Sequence, residues 1–250
     1  MSGHSKWHNI RLRKGKQDAL RGNLFTKLAK EIIVAARNGG GNPDTNLQLR
    51  MAVDKAKQNS MPADNIKRNI QRGSGDTDAA AYEELTYEGY GPGGVAVLVQ
   101  CLTDNKQRTV ADVRSIFNKN GGRLAESGSV GYLFSPQGII LTAPGATTED
   151  ALMEIALEAG AEDVQPSEDG GFEITTAFED FGAVRMALDA AKIPLESADT
   201  TMIPSTQVEL VGKEAQQALR LIDMLEDHDD VQTVYANLEM SEEELEAASR

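Results

Sequence analysis

The stretch YEELTYEGYGPGGVAVLVQCL, from Tyr82 to Leu102, decides what kind of fold this chain adopts. Its centre, Gly89-Tyr90-Gly91-Pro92-Gly93-Gly94, has the glycine spacing of a loop that cradles phosphates. A dinucleotide-binding loop of that kind follows a strand and opens a helix. Here the residues after Gly94 are VAVLVQCL, a continuous apolar run of strand type. Both flanks therefore read as strands and the glycines as a tight hairpin turn between them. No phosphate-loop lysine motif occurs anywhere in the chain.

On the N-terminal side the period is helical. Leu20, Leu24, Leu28, Ile32 and Ala36 recur every fourth residue, predicting an amphipathic helix over 17–37 that RNGGGNPD ends. A second helix is expected over 46–59 on Leu49, Val53 and Ala56, and a short third one carries Ile66 and Ile70. GSGDTDAA then reads as a linker. On the C-terminal side, Thr103-Asp104-Asn105 supplies capping residues to a helix with Val110, Val113 and Phe117 inward. Next come a strand in GSVGYLFSPQGIILTA, a helix in TTEDALMEIALEAG and two strands around Glu168-Asp169-Gly170-Gly171. A helix in DFGAVRMALDAAK and a strand in LESADTTMIP follow, so 131–204 has the order βαββαβ of ferredoxin-like domains. The chain ends with a helix over 212–228 and the strand VQTVYANL, which lack partners unless they rejoin the unit at 79–130.

The expected fold class is therefore multidomain α+β: an N-terminal helical domain and two α+β, ferredoxin-like sandwich domains, one inserted in the other. The expected boundaries are 1–78 for the basic arm and helical domain, 79–130 with 205–250 for a discontinuous domain, and 131–204 for the insert.

Charge divides along the same lines. The chain of 250 residues has a formal net charge of -14, yet residues 1–72 hold 15 Lys and Arg against 5 Asp and Glu. The remainder holds 10 against 34. Clustered cations are the footprint of phosphate-backbone binding whatever the overall charge. The acidic remainder discourages indiscriminate adhesion to nucleic acid. No apolar run approaches the ~18 residues of a membrane helix, and the basic start leads into an amphipathic pattern, not an apolar signal core. A cytoplasmic location without a membrane partner is expected. The single cysteine, Cys101, excludes an internal disulfide and multi-cysteine zinc sites.

Enzyme chemistry finds little to build on. Cys101 sits in an apolar strand and reads as a small buried hydrophobe. His4 and His8 are four apart but have no carboxylate or thiol near them to complete a metal site. His228, in LEDHDD, reads as part of a solvated helix end. No catalytic residue, metal, cofactor or small-molecule substrate is expected.

The basic module is where function is expected. Lys6, Arg11, Arg13, Lys14, Lys16 and Arg21 fall within sixteen positions, with Trp7 among them. Lys27, Lys30 and Arg37 follow on the first helix, away from its leucine stripe, and Arg50, Lys55, Lys57, Lys67, Arg68 and Arg72 continue onto the next two. The cations would hold phosphates while Trp7 stacks on an unpaired base or anchors the arm. A secondary cluster, Lys106, Arg108 and Arg114 with Lys119 and Arg123, lies around TDNKQRT; its alternative is the outer face of a capped helix.

Two segments, GHSKWHNIRLRKGKQDALRGNLFTKLAKEI (3–32) and YEGYGPGGVAVLVQCLTDNKQRTVADVRSIFNKNGGRLAESGSVGYLF (87–134), closely resemble the YebC/PmpR family. Its pattern favours Arg-Asn where this chain has Lys106-Gln107, and glycine in place of Ala125. The resemblance implies three domains around a cleft, without catalytic residues or cofactor. It also implies one of two roles: a transcriptional regulator that binds promoter DNA, or a ribosome-associated translation factor that relieves stalling at proline runs, like the mitochondrial activator of cytochrome oxidase translation. The family's basic start maps onto Lys6, Trp7, Arg11, Lys14, Lys16 and Arg21. A DNA reader needs a recognition helix carrying Arg, Asn or Gln, and the sequence singles out no such segment. A basic arm with one tryptophan fits folded RNA equally. The expected partner is nucleic acid, DNA or ribosomal RNA, with the ribosome itself as a further candidate. The competing class is a protein-interaction adaptor that works through its acidic domains.

Overall fold

The computed structural model describes residues 21–75, 82–167 and 170–241. Three helices come first, α1 (Arg21–Gly39), α2 (Leu47–Gln58) and α3 (Ala63–Ser74). Then follow β1 (Glu83–Tyr90), β2 (Ala96–Thr103), α4 (Lys106–Lys119), β3 (Arg123–Leu124), β4 (Phe134–Thr142) and α5 (Glu149–Glu158). The chain continues through β5 (Ala161–Pro166), β6 (Phe172–Ala177), α6 (Phe181–Ala190) and β7 (Leu195–Pro204). It closes with β8 (Val208–Glu209), α7 (Gly212–Glu226), β9 (Val231–Ala236) and β10 (Leu238–Glu239). The chain divides into two compact units, Phe134–Ile203 and everything on either side of it. The architecture is α+β, with the N-terminal helices followed by two sheet-and-helix layers, the second inserted into the first.

In the first unit the helices bury the stripe that the four-residue spacing marks out: Leu28, Ile32 and Ala36 of α1 close on Leu49, Val53 and Ala56 of α2 and Ile66 of α3. Asn46 joins two helix ends. Its side-chain oxygen caps α2 by accepting the Leu49 N–H at 3.1 Å, and its amide donates to the Ala35 and Gly40 carbonyls at 2.8 and 2.9 Å. One buried side chain thus satisfies orphan groups at the end of α1 and the start of α2.

The antiparallel sheet of this unit has the order β3-β1-β2-β9. Glycine makes the β1–β2 turn, as the strand-like flanks require: Gly93 and Gly94 have φ of +66° and +80° and Tyr90 pairs with Ala96 across it. One face of the sheet carries Val97, Val99, Cys101 and Val231 onto Val113 and Phe117 of α4 and Leu221, Ile222 and Leu225 of α7. Cys101 is buried there and desolvation pushes its thiol up to about 12, which suits packing and not nucleophilic attack.

The inserted unit has strand order β5-β6-β4-β7, with β6 antiparallel to both β4 and β5. Leu152 and Ala156 of α5 and Val184 and Leu188 of α6 are buried together with Ile140 and Ile174 of the sheet. The Glu168-Asp169 half of the expected β5–β6 turn lies outside the described residues.

One expected strand begins late. GSVGYLF precedes β4, but residues up to Ser129 form a turn, Gly131–Leu133 a single 3-10 turn, and the strand starts only at Phe134. The cause is Glu88 of β1. Its carboxylate accepts the backbone N–H groups of Gly128, Val130 and Gly131, each at 2.7 Å, so these amides bind an anion instead of a neighbouring strand. Ala125, where the resemblance noted above implies glycine, donates its N–H to the Glu88 carbonyl at 2.8 Å and is not in the left-handed region, so alanine fits there.

Gly89 faces α4, and a Cβ on it would lie 2.6 Å from the Phe117 ring and 2.7 Å from the Arg123 carbonyl. Gly94 has open space around it and only its positive φ to defend. Gly89→Ala is therefore expected to cost at least about 2 kcal/mol through overpacking, and Gly94→Ala only about 1 kcal/mol of backbone strain. Urea unfolding of the two variants checks the order.

Candidate nucleic-acid interface

The expected interface begins with residues that carry no structural description: Lys6, Trp7, Arg11, Arg13, Lys14 and Lys16 lie outside the described residues, and Arg21 enters only as the first backbone position of α1. The cations that follow divide into two groups, those turned inward and those left in solvent.

Lys27 and Lys30 are turned inward. Residues 226–230, where α7 ends and runs into β9, present carbonyl groups that α1 satisfies. Asn23 donates to the Asp227 carbonyl at 3.1 Å, Lys27 to the Glu226 carbonyl, and Lys30 to the Asp229 carbonyl at 2.9 Å. Cations at the negative end of a helix are favoured electrostatically. Lys30 is only 8% exposed, its ammonium group 2.8 Å from the carboxylate of Asp230 and 5.7 Å from the centroid of the Tyr82 ring. The expectation that Lys30 meets phosphate is therefore corrected at the level of its side chain: burial and an ion pair commit its charge to the protein interior.

Asp230 is the centre of this arrangement. Only 3% exposed, it accepts from Lys30 at 2.8 Å, from Arg108 at 2.8 Å, and from the Thr103 and Thr109 hydroxyls at 3.2 and 2.9 Å. Burial pushes such a carboxyl up, but the Lys30, Arg108 and Thr109 donors outweigh it and hold Asp230 well below the ordinary carboxylate range. The same residues cap α4: Asn105 accepts the Arg108 N–H at 3.1 Å, and Thr103 accepts the Asn105 N–H at 2.9 Å. The TDN motif thus ends β2, starts α4 and helps seat Asp230.

His228, expected as part of a solvated helix end, is partly buried. Its Nε2 is 3.3 Å from the Asp112 carboxylate and its Nδ1 accepts the Asp230 N–H at 3.1 Å. Among the described residues no group of three or more His, Cys, Asp or Glu is placed to hold a metal ion.

The secondary cluster is mostly engaged. Lys106 pairs with Glu83, and Arg108 bridges Asp104 at 2.9 Å and Asp230, which together raise its already high pKa. Arg114 is exposed and makes no ion pair or side-chain hydrogen bond among the described residues. On the helices, Lys55 pairs with Glu31 at 3.0 Å, and Arg50 donates to the Pro43 and Asp44 carbonyls at 3.2 Å. Arg37 is exposed in the last turn of α1.

The solvent-facing group collects on α3. Ile66 is buried and Ile70 half-buried against the helical core, which turns Lys67, Arg68, Gln71 and Arg72 outward, all exposed. None of the three cations is paired among the described residues. Arg68 and Arg72 are one turn apart and share a face. In sequence this face is marked by the run NIKRNIQR, whose two isoleucines fix which side is wet.

Asp230→Asn leaves Lys30 buried beside a neutral group and is expected to lower stability by about 3 kcal/mol. Because the folded carboxyl titrates below its unfolded value, its contribution is complete above about pH 4 and is lost as pH falls from there. Unfolding free energies measured against pH should therefore fall less steeply on the acid side in the variant than in the parent chain.

Residues 5–76 match the family described as TACO1/YebC protein N-terminal domain, and residues 82–238 match that described as TACO1/YebC second and third domain. A probable transcriptional regulatory protein of Syntrophotalea carbinolica is 56% identical over 245 residues, 98% of each chain. One of Desulforapulum autotrophicum is 54% identical over 247 residues, 99% of this chain and 100% of its own. The crystal structure of a conserved hypothetical protein from Aquifex aeolicus superposes with a TM-score of 0.78 at 46% identity, covering 90% of this chain and 93% of that one. Matched from its basic start to its last strand, and more than half identical to these relatives, the chain belongs to the TACO1/YebC family.

Proposed function

We propose that this protein is a non-enzymatic regulator of gene expression that acts in the cytoplasm by binding nucleic acid, in the first instance as a DNA-binding transcriptional regulator. The observation that carries the reading is the wet face of α3, where Lys67, Arg68, Gln71 and Arg72 stand exposed without an acidic partner among the described residues. A solvated helix face in so acidic a chain would ordinarily alternate its charges. This one offers point charges and forks that suit phosphates and base edges. Lys6, Trp7, Arg11, Arg13, Lys14, Lys16 and Arg21 would extend the contact from the N-terminal side, with Arg37 and Arg114 as further candidates. The names of the relatives agree with a regulator.

An RNA target, and with it the translation-factor reading, is favoured by a separate observation. Tyr132 is 75% exposed and offers an aromatic ring of the kind that unpaired bases stack on, which the interior of a DNA duplex does not present.

Two measurements test the proposal. The affinity of the full chain for duplex DNA and for a ribosomal RNA fragment, followed against salt, should fall on the order of 10³-fold between about 50 and 200 mM if six phosphates are held. Changing Lys67, Arg68 and Arg72 to Ala should flatten the log–log slope by about 3, whereas Lys30→Met, whose charge faces inward, should leave it unchanged. Sequencing of nucleic acid crosslinked to the protein in cells then separates the two targets: promoter DNA supports the first reading and ribosomal RNA the second. Salt-independent binding, or none, overturns both.

A further inference from the structure

The loop that delays β4 is built around a charge. Glu88, 7% exposed, lies under residues 126–133 and binds three of their backbone amides. Burial opposes its ionisation, but the amides of Gly128, Val130 and Gly131 prevail and hold its pKa below the ordinary value. Tyr90, two residues on, donates its hydroxyl to the Ser129 carbonyl at 3.0 Å. Val130 is fully buried, and the Leu133 N–H donates to the Val130 carbonyl at 2.9 Å. The backbone on both sides of Tyr132 is thus tied down, yet the Tyr132 ring itself stands in solvent.

A tyrosine ring normally buries much of its area in a fold, and a rigid loop that leaves one out presents a preorganised apolar face. The residue that anchors the loop also carries a cation. The exposed guanidinium of Arg123 lies 5.1 Å from the centroid of the Tyr90 ring, the same ring whose hydroxyl holds the loop. Glu88 adds little negative potential here because its charge is taken up by backbone amides. A ring for stacking on the loop that Tyr90 ties down, and a fork for a phosphate over the Tyr90 ring itself, match the two parts of a nucleotide.

We propose that the Glu88-clamped loop is a stacking platform for single-stranded nucleic acid, on which Tyr132 takes one unpaired base while Arg123 holds a neighbouring phosphate. This rests on the nucleic-acid reading above and deepens it, since it assigns that site an unpaired nucleotide. Glu88 and Tyr90 are positioning residues, and Tyr132 is the contact.

The test uses the full chain with a ~12-nucleotide single-stranded RNA and a duplex of the same length, titrated by fluorescence anisotropy at fixed low salt. Tyr132→Ala should weaken single-strand binding roughly 5- to 150-fold, the loss of one stacked base, and change duplex binding less than about twofold. Tyr132→Phe keeps the ring and should bind as the parent chain does. Both substitutions are at an exposed side chain, and an unchanged urea midpoint confirms that they fold. Equal single-strand affinity in parent and Tyr132→Ala overturns the platform while leaving the nucleic-acid reading intact. So does an equal loss on single strand and duplex, or a Phe variant as weak as the Ala one. Failure of the parent chain to bind either probe overturns both.

Discussion

The buried contact between Lys30 and Asp230 is the constraint on which the first unit depends. Residues of α1 meet the segment between α7 and β9, two hundred positions away in sequence, at one ion pair with almost no access to water. Such a pair contributes little net stability compared with apolar side chains of the same shape. Its effect is on arrangement. With a carboxylate that must find four donors, and an ammonium that must find acceptors, only one placement of α1 against the sheet satisfies both. The capping sequence Thr103-Asp104-Asn105, the start of α4 and the fork of Arg108 are all positioned by the same carboxylate.

Much of the fold was legible in the sequence because periodicity reports local geometry. The four-residue leucine spacing of α1, the glycine hairpin at 91–94 and the βαββαβ order that ends in β7 all follow from which side chains must be buried. What could not be read were the fates of polar groups whose partners are remote. Lys30 looks like Lys27 or Arg37 in sequence. His228 and Asp230 look like a wet acidic helix end, and GSVGYLF looks like the start of a strand. Each expectation failed on a long-range polar contact: Lys30 with Asp230, His228 with Asp112, and Glu88 with the amides of residues 128–131. The candidate site was legible as a concentration of charge, and only the structure sorts that charge into cations held inside and cations left outside.

That sorting explains how an acidic chain keeps a basic surface available. The inserted unit, residues 134–203, has 14 Asp and Glu against two Lys and Arg. If acidic residues were spread evenly through the helices as well, each Lys and Arg would find an i±4 partner and the local positive field would vanish. Instead α3 contains a single acid, Asp64, against Lys67, Arg68 and Arg72. The acidic surplus elsewhere would repel a polyanion from the surfaces that carry it.

The two buried carboxylates of the first unit, Asp230 and Glu88, are satisfied in opposite ways, and the difference bears on function. Asp230 is neutralised by Lys30 and Arg108, which draws the Lys30 charge into the interior and commits the Arg108 fork, still exposed, in order to fix one helix against a sheet. Glu88 is neutralised by backbone N–H groups, which are present in every sequence and belong to no other partner. A loop organised by amides costs no side-chain cation. Arg123 therefore stays exposed over Tyr90, and the aromatic residue that the loop carries stays exposed as well. Had Glu88 been met by Arg123 instead, the loop would be tied just as firmly, but the exposed positive charge over Tyr90 would be gone. A carboxylate under a nest of amides is thus a way to make a rigid loop while leaving both its aromatic ring and the Arg123 guanidinium exposed.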